Sequence, residues 1–496
     1  ASNALPPPKG YFINCGAKEE TRVGEIKWLT DEGFVGVGNA SGVATRGVSP
    51  TLATLRHFPD AAARKSCYAV PVAKGSRYLV RTTYYYGGYD GGSRPPVFDQ
   101  IVGGTRWSTV DTAADYARGL ASYYELVFAA TGKALSVCLA RVAGGGSPFI
   151  SALEVAPLED SMYNATDFSA YALATVARHR FGGDGGILSY PEDPFNRYWG
   201  ALQDEEGNPV VESHGRVDPS EFWNLPPAEA LGWGVTTSRG KRLELRWPPA
   251  ELPGASYYVA LYFQDNRTPS PFSWRVFHVA LNGRTFYHAL NVSAAGVMVY
   301  AAGWPLAGRT QITLTPQDGS PVGPVINAGE ILELLPLAGR TVTRDEAAME
   351  EMARSLNNVP SDWSGDPCLP KGNAWTGITC SEGRLVRVTS LNLTNYGLSG
   401  SLPDCISSLT ALTSIWLGGN KISGTIPDLG DLQQLASLHL EDNQFTGPIP
   451  ASLGSLVKIR EIFLQNNDLH GPLPESLASR SGINIKISPG NQITQA

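Results

Sequence analysis

Apolar residues recur in a short, fixed rhythm over the last quarter of the chain. Val388-x-x-Leu391-x-Leu393 is followed by Leu412-x-x-Ile415-x-Leu417, Leu435-x-x-Leu438-x-Leu440 and Ile459-x-x-Ile462-x-Leu464, at spacings of 24, 23 and 24 residues. Asn420, Asn443 and Asn467 keep one polar position in phase, and Tyr396 replaces it in the first unit. Each unit runs on to Gly-x-[LI]-Pro, as in Gly400-Ser401-Leu402-Pro403 and Gly424-Thr425-Ile426-Pro427. This period predicts a leucine-rich repeat coil with one strand per turn. The fixed Asn and Gly-x-[LI]-Pro positions exclude a merely leucine-periodic helix. Ile483 to Asn491 holds the phase poorly and is expected to form a terminal cap.

The first two-thirds carries the other period, that of strands. Tyr78 to Tyr86 is β-branched and aromatic, as is Tyr257 to Phe263. Arg275 to Leu281 alternates polar and apolar residues and ends on Asn282-Gly283, which suits the positive φ angles of a type I′ hairpin turn. These segments repeat. Ser76-Arg77-Tyr78-Leu79-Val80 is echoed by Ser256-Tyr257-Tyr258-Val259-Ala260. Pro148-Phe149-Ile150-Ser151-Ala152 with Glu154 is echoed by Pro324-Val325-Ile326-Asn327-Ala328 with Glu330. The near-constant offset predicts two copies of one fold. Between the two regimes, Thr343 and Glu346 read as a capping box, and Met349, Met352, Ala353 and Leu356 follow at helical spacing. The expected domains are two β-sandwiches, residues 9–160 and 165–338, a helix-containing cap over 343–385, and the repeats over 386–496. Gly182 to Gly186 reads as a loop, since no P-loop lysine accompanies it.

Composition narrows the function. The 496 residues hold 54 Gly and 36 Pro against 17% charged residues, which suits β domains with many turns. A net charge of −7 with scattered Lys and Arg gives no nucleic-acid footprint. No apolar run approaches the roughly 20 residues of a membrane span. The start at Ala1 reads as a mature end after removal of a signal peptide, with any membrane anchor expected beyond Ala496. Five N-x-[ST] sequons point to a secreted chain: Asn39, Asn164, Asn266, Asn291 and Asn392, with Pro269 disfavouring Asn266. Six cysteines, none in a CxxC, argue against a zinc or thioredoxin-type site. There is no G-x-S-x-G, H-E-x-x-H or kinase motif set. The acidic pairs Glu192/Asp193 and Asp204/Glu205 are neighbours in sequence, and His179 and His278 read as surface or strand residues. The chain is therefore expected to bind rather than catalyse, with no cofactor or metal.

Several stretches carry a family resemblance. Trp363-Ser364-Gly365-Asp366-Pro367-Cys368 and Trp375-x-Gly377-x-x-Cys380 resemble the cap of plant extracellular leucine-rich repeats. The Gly-Asp-Pro-Cys stretch is similar to that of malectin-like/leucine-rich-repeat receptors of the symbiosis receptor-like kinase type. Asn14-Cys15-Gly16, Ser66-Cys67-Tyr68, Tyr86-Gly87-Gly88-Tyr89-Asp90-Gly91 and Val137-Cys138-Leu139 resemble plant malectin-like domains. Tyr190 to Trp199 resembles the family's linker before its second domain. The resemblance implies a mostly β protein: tandem malectin-like sandwiches, then a short plant-type repeat solenoid. It implies a plant cell-surface glycoprotein acting in signalling, the ectodomain of a receptor-like protein or receptor-like kinase. Its partners would be a peptide or protein ligand, a receptor kinase, or both. On this frame Cys368 is expected to pair with Cys380 and Cys67 with Cys138, leaving Cys15 and Cys405 as buried free thiols. Asn39, Asn164, Asn291 and Asn392 are expected to carry glycans.

Two binding sites are expected. In L-x-x-L-x-L the leucines point inward and the intervening residues outward. Asn392, Trp416, His439 and Phe463 therefore form an outward column, with Ser414, Ser437 and Glu461 beside it and Glu441 beyond. Aromatic rings on a water-facing sheet mark a surface that something covers, and Trp is common where interfaces draw their energy. Trp416, His439 and Phe463 are expected to contact a protein or peptide, with Glu441 and Glu461 favouring a basic one. A glycan or another domain of the chain is the competing cover. The alternative function is a carbohydrate-binding module for cell-wall oligosaccharides. Animal malectin binds a glucose disaccharide through aromatics and a carboxylate, and Tyr84, Tyr85, Tyr86, Tyr89 and Asp90 supply those groups.

Overall fold

The computed structural model describes residues 8–183, 185–203 and 206–494. Asp184 of the glycine-rich loop, and Asp204 and Glu205 of one acidic pair, lie outside the described residues.

The duplication is visible as strand order. In the first half Tyr11–Asn14 pairs with Ala152–Pro157, then Arg77–Tyr84, then Ser122–Ala129. In the second half Tyr171–Phe181 pairs with Ala328–Pro336, then Leu252–Phe263, then Val297–Gly308. Each half adds its own four-stranded sheet. Ser66–Pro71, Ala134–Arg141, Phe98–Val102 and Thr105–Val110 serve the first; Leu243–Arg246, Gln311–Pro316, Val276–Leu281 and Arg284–Asn291 serve the second. Phe98, Tyr84, Val80 and Phe149 fill one core, and Phe277, Val259, Trp247 and Ile331 the other. Asn282 and Gly283 both take positive φ, 49° and 76°, closing the expected hairpin.

The two sandwiches are not merely packed in tandem. Leu126 and Val127 pair with Ala174 and Leu173, so the larger sheets of the two halves are one 11-stranded sheet. The two expected sandwiches therefore share a sheet. The physical reason is that the last strand of the first half and the first strand of the second would each present an unpaired edge, and joining them satisfies both.

The helix Thr343–Ser355 buries Ala348, Met349 and Met352 against the repeats. The capping box does not form: Val342 is the N-cap, and no side chain caps it. Asp345 anchors the first turn instead. It is fully buried and accepts from Arg387 Nε at 2.8 Å and Val388 N at 2.9 Å. Beyond it, Val388–Asn392, Ser414–Trp416, Ser437–His439, Glu461–Phe463 and Asn484–Lys486 stack in parallel register. Asn420, Asn443 and Asn467 form an inner ladder, each donating to main-chain carbonyls of two turns. The segment read as an out-of-phase cap continues this coil. Asn484–Lys486 pairs with Glu461–Phe463, and Asn491 donates to Leu464 O and Ile487 O. Asn491 lies seven residues after Asn484, whereas Asn467 lies six after Glu461. That one extra residue between strand and ladder is why the periodicity fades there.

Disulfides join Cys67 to Cys138 and Cys368 to Cys380, while Cys15 and Cys405 are free. Cys15 is buried; Cys405 is only half-buried, which corrects the expectation for that thiol.

Candidate functional site

Trp416, His439 and Phe463 follow one another in register across three parallel strands of the repeat coil. Because side chains on such a sheet sit one above the other, the rings stack. Trp416 and His439 are 5.4 Å apart at 19°, and His439 and Phe463 are 4.3 Å apart at 26°. Lys486 extends the column, its Nζ 4.4 Å above the Phe463 ring. Trp416 remains 38% exposed. Asn392, at the other end, is exposed and in register with Trp416.

Polar groups fix these rings from the side. Trp416 Nε1 donates to Ser437 Oγ at 2.8 Å, and Ser437 donates to Glu461 Oε1 at 2.6 Å. His439 Nε2 lies 3.1 Å from the same oxygen, and its Nδ1 lies 3.8 Å from Glu441 Oε1. The Ser437 hydroxyl, with help from His439 and Lys486, holds the Glu461 carboxyl below its usual range. The result is a stacked aromatic column with an acidic border.

The tyrosine set is divided by burial. Tyr84, Tyr85 and Tyr86 are buried and cannot stack on a sugar. Tyr84 packs on Phe98 and Phe149, and Tyr86 donates its hydroxyl to Asp90 Oδ1. The strand Arg77–Tyr84 is buried on both faces, and Tyr85 and Tyr86 continue directly from its end. Tyr89 and Asp90 do reach a cavity of about 650 Å³, together with His57, Arg94 and Ser147.

Two clusters were not anticipated. One lies under the shared sheet. Arg81 donates to Glu154 and Glu125, Arg178 to Glu125 and Glu330, and Tyr163 and Tyr262 to Glu330, all within buried surroundings. Burial alone would raise the Glu125 carboxyl, yet Arg178 and Arg81 hold it at about 2. The linker seen in the sequence closes this network: Asn196 O and Nδ2 reach Arg81 and Glu154, and Tyr198 lies over Arg81. Glu154 and Glu330 are the echoed glutamates of the duplication, a visible signal for the site.

The other cluster fixes the repeat cap to the first sandwich. Asp366 of the Gly-Asp-Pro-Cys stretch accepts from the main-chain N–H groups of Thr341, Cys368 and Leu369. Buried Lys65 donates to Asp366 O and Leu369 O at 2.5 and 2.8 Å, and burial lowers its ammonium to about 8. Gly365 sits on the Cys67–Cys138 disulfide, where a Cβ would lie 2.8 Å from Cys67 Sγ.

Residues 13–334 match the malectin-like domain family and residues 434–456 the leucine-rich repeat family. The chain belongs to the malectin-like family. It is similar to a probable leucine-rich-repeat receptor-like serine/threonine-protein kinase of Arabidopsis thaliana, 31% identical over 482 residues, 89% of this chain and 49% of that one. The chain spans about half the length of the curated relatives it matches. Its fold is similar to the ANX2 ectodomain of Arabidopsis thaliana, with a TM-score of 0.56 at 16% identity over 66% of this chain and 97% of that one. It is likewise similar to a chain in the structure of the plant peptide RALF23 with FER and LLG2, with a TM-score of 0.55 at 17% identity over 67% and 96%. Among the described residues no helix is long and apolar enough to cross a membrane.

Proposed function

We propose that this chain is the extracellular, partner-binding region of a plant cell-surface receptor-like protein, anchored to the membrane by sequence beyond residue 496. In this reading the inner face of the leucine-rich repeats engages a peptide or protein, alone or with a receptor kinase. The observation that carries it is the stacked Trp416–His439–Phe463 column, 38% exposed at Trp416 and bordered by Glu441 and Glu461. The receptor-kinase relatives support the setting, and a structure of similar fold contains a peptide and a second protein. The test is capture of partners from a plant surface extract. Trp416→Ala and Phe463→Ala should each weaken capture by about 1–3 kcal/mol with the fold intact; unchanged capture by the double variant removes the reading. Asn39, Asn164, Asn291 and Asn392 are exposed and suit glycans, whereas Asn266 is half-buried and bonded to Arg275. Mass loss on deglycosylation of secreted protein, absent from a four-site Asn→Gln variant, checks this.

The cavity beside Tyr89 and Asp90 supports a second reading, an oligosaccharide site. Binding of wall oligosaccharides that disappears with Tyr89→Ala supports it, and no binding at millimolar concentration ends it.

A further inference from the structure

One corner of the repeat face is more specific than the rest. Two residues beyond the central aromatic position, successive turns carry Gly418, Glu441 and Gln465. Gly418 has no side chain, and the Glu441 carboxyl lies across its place: a Cβ there would sit 2.6 Å from Glu441 Oε1. The carboxylate is thereby drawn back toward the turn that bears Trp416. The His439 imidazole lies beside it, with Nδ1 at 3.8 Å, beyond hydrogen-bond length. Among the described residues Glu441 Oε2 and Gln465 Oε1 are shielded from solvent and have no donor, so an incoming donor that turns the Glu441 carboxyl outward would supply a bond it lacks. Asp442 adds a second carboxylate, occupied by Asn466 Nδ2. Arg460 and Lys486, the cations of this face, belong to the later turns, and Lys486 lies over Phe463.

An exposed indole beside an under-satisfied carboxylate is complementary to one side chain above others. A guanidinium is planar, stacks on an aromatic face and donates two parallel hydrogen bonds to a carboxylate. An ammonium lacks the plane and the fork. Resting on the proposal that this face binds a peptide or protein, we infer that the notch formed by Trp416, Gly418, Glu441 and Gln465 receives an arginine side chain of that partner. Glu461 does not compete for it, because Ser437 already donates to that carboxylate.

The test uses the full chain and two capped tripeptides, Gly-Arg-Gly and its uncharged citrulline counterpart. The readout is the indole N–H resonance of Trp416, assigned with Trp416→Phe. The arginine peptide should shift and saturate this resonance at millimolar concentration, with the citrulline peptide at least about tenfold weaker. Glu441→Gln should lower the arginine peptide to the citrulline level, and Gly418→Ala, which displaces the Glu441 carboxyl without backbone strain, should weaken it by about threefold. Equal affinity for the two peptides, no effect of Glu441→Gln, or no shift with either peptide overturns the inference. Its failure is separable from that of the surface itself: partner capture lost with Trp416→Ala but kept with Glu441→Gln leaves the surface standing and the arginine notch wrong. Capture that survives Trp416→Ala removes both.

Discussion

Two aromatic clusters have opposite fates in this molecule. Tyr84 ends a strand buried on both sides, Tyr85 and Tyr86 follow it directly, and all three rings are buried. Trp416, His439 and Phe463 lie on strands whose inner side carries leucines and whose outer side is open. The first set contributes apolar burial to a core; the second forms a ladder whose upper member water still reaches. Aromatic residues on a strand are therefore within reach of a partner only where one face of the sheet is free.

The contrast is broken most severely at the tyrosines. Tyr84→Ala leaves a cavity between Phe98, Tyr124 and Phe149, and thermal or denaturant unfolding should show a loss of about 3–5 kcal/mol. A loss under about 1 kcal/mol would place Tyr84 with the surface aromatics instead. The charged counterpart is Glu330 against Glu461. Glu330 is fully buried and accepts from Arg178, Tyr163 and Tyr262. Glu330→Ala leaves Arg178 buried without that partner, at a cost of about 3 kcal/mol in unfolding experiments. Glu461→Ala, on the open face, should cost no more than about 0.5 kcal/mol.

These examples also show how much the sequence makes legible. The repeat coil can be read nearly whole because each position has a single role, with leucines inward, asparagines in the ladder, and glycine and proline in the turns. The outward column follows from alternation alone. The shared sheet is not legible, since pairing of Leu126 with Ala174 joins two segments whose pattern says only that each is a strand. Buried Arg81, Glu125 and Arg178 escape notice because charge in a strand ordinarily reads as a solvent-facing side, and only the echo of Glu154 in Glu330 hints otherwise. The capping box fails by one position: Thr343 is already inside the helix, so its hydroxyl is out of place to cap it. Tyr86 reads as a sugar contact only while its packing against Tyr89, Tyr116 and Phe149 is unknown.

Between the buried and open extremes lies Glu346, half-buried where the helix meets the first sandwich. Burial, with Asp366 and Glu350 nearby and Arg340 opposing, pushes its carboxyl up to about 7 from 4.5. The folded chain keeps this proton to about pH 7, while the unfolded chain releases it near 4.5. Its contribution to stability is therefore full below pH 4.5 and is lost as pH rises through 7. Allowing for solvent screening, the loss is about 1–2 kcal/mol. Glu346→Gln should match the parent near pH 4.5 and exceed it by about that amount at about pH 8 in paired thermal melts. The same difference at both pH values would show that Glu346 does not titrate between them.

A small effect on stability should also come from the residue expected to matter most for binding. Trp416→Ala removes one stacking contact with His439 and one hydrogen bond to Ser437. A stacked pair contributes about 0.5–1.5 kcal/mol when buried, and less here because the indole is 38% exposed in the folded state. The Ser437 hydroxyl keeps its bond to Glu461 and is left with no unmet need. The apolar residues beneath, Ile415 and Leu438, are untouched because they face the other way. Unfolding should therefore shift by less than about 1 kcal/mol, set against the roughly 3–5 kcal/mol expected for Tyr84→Ala. A protein that unfolds readily after Trp416→Ala would mean that the ladder holds the coil together, and its exposed rings would then no longer argue for a partner.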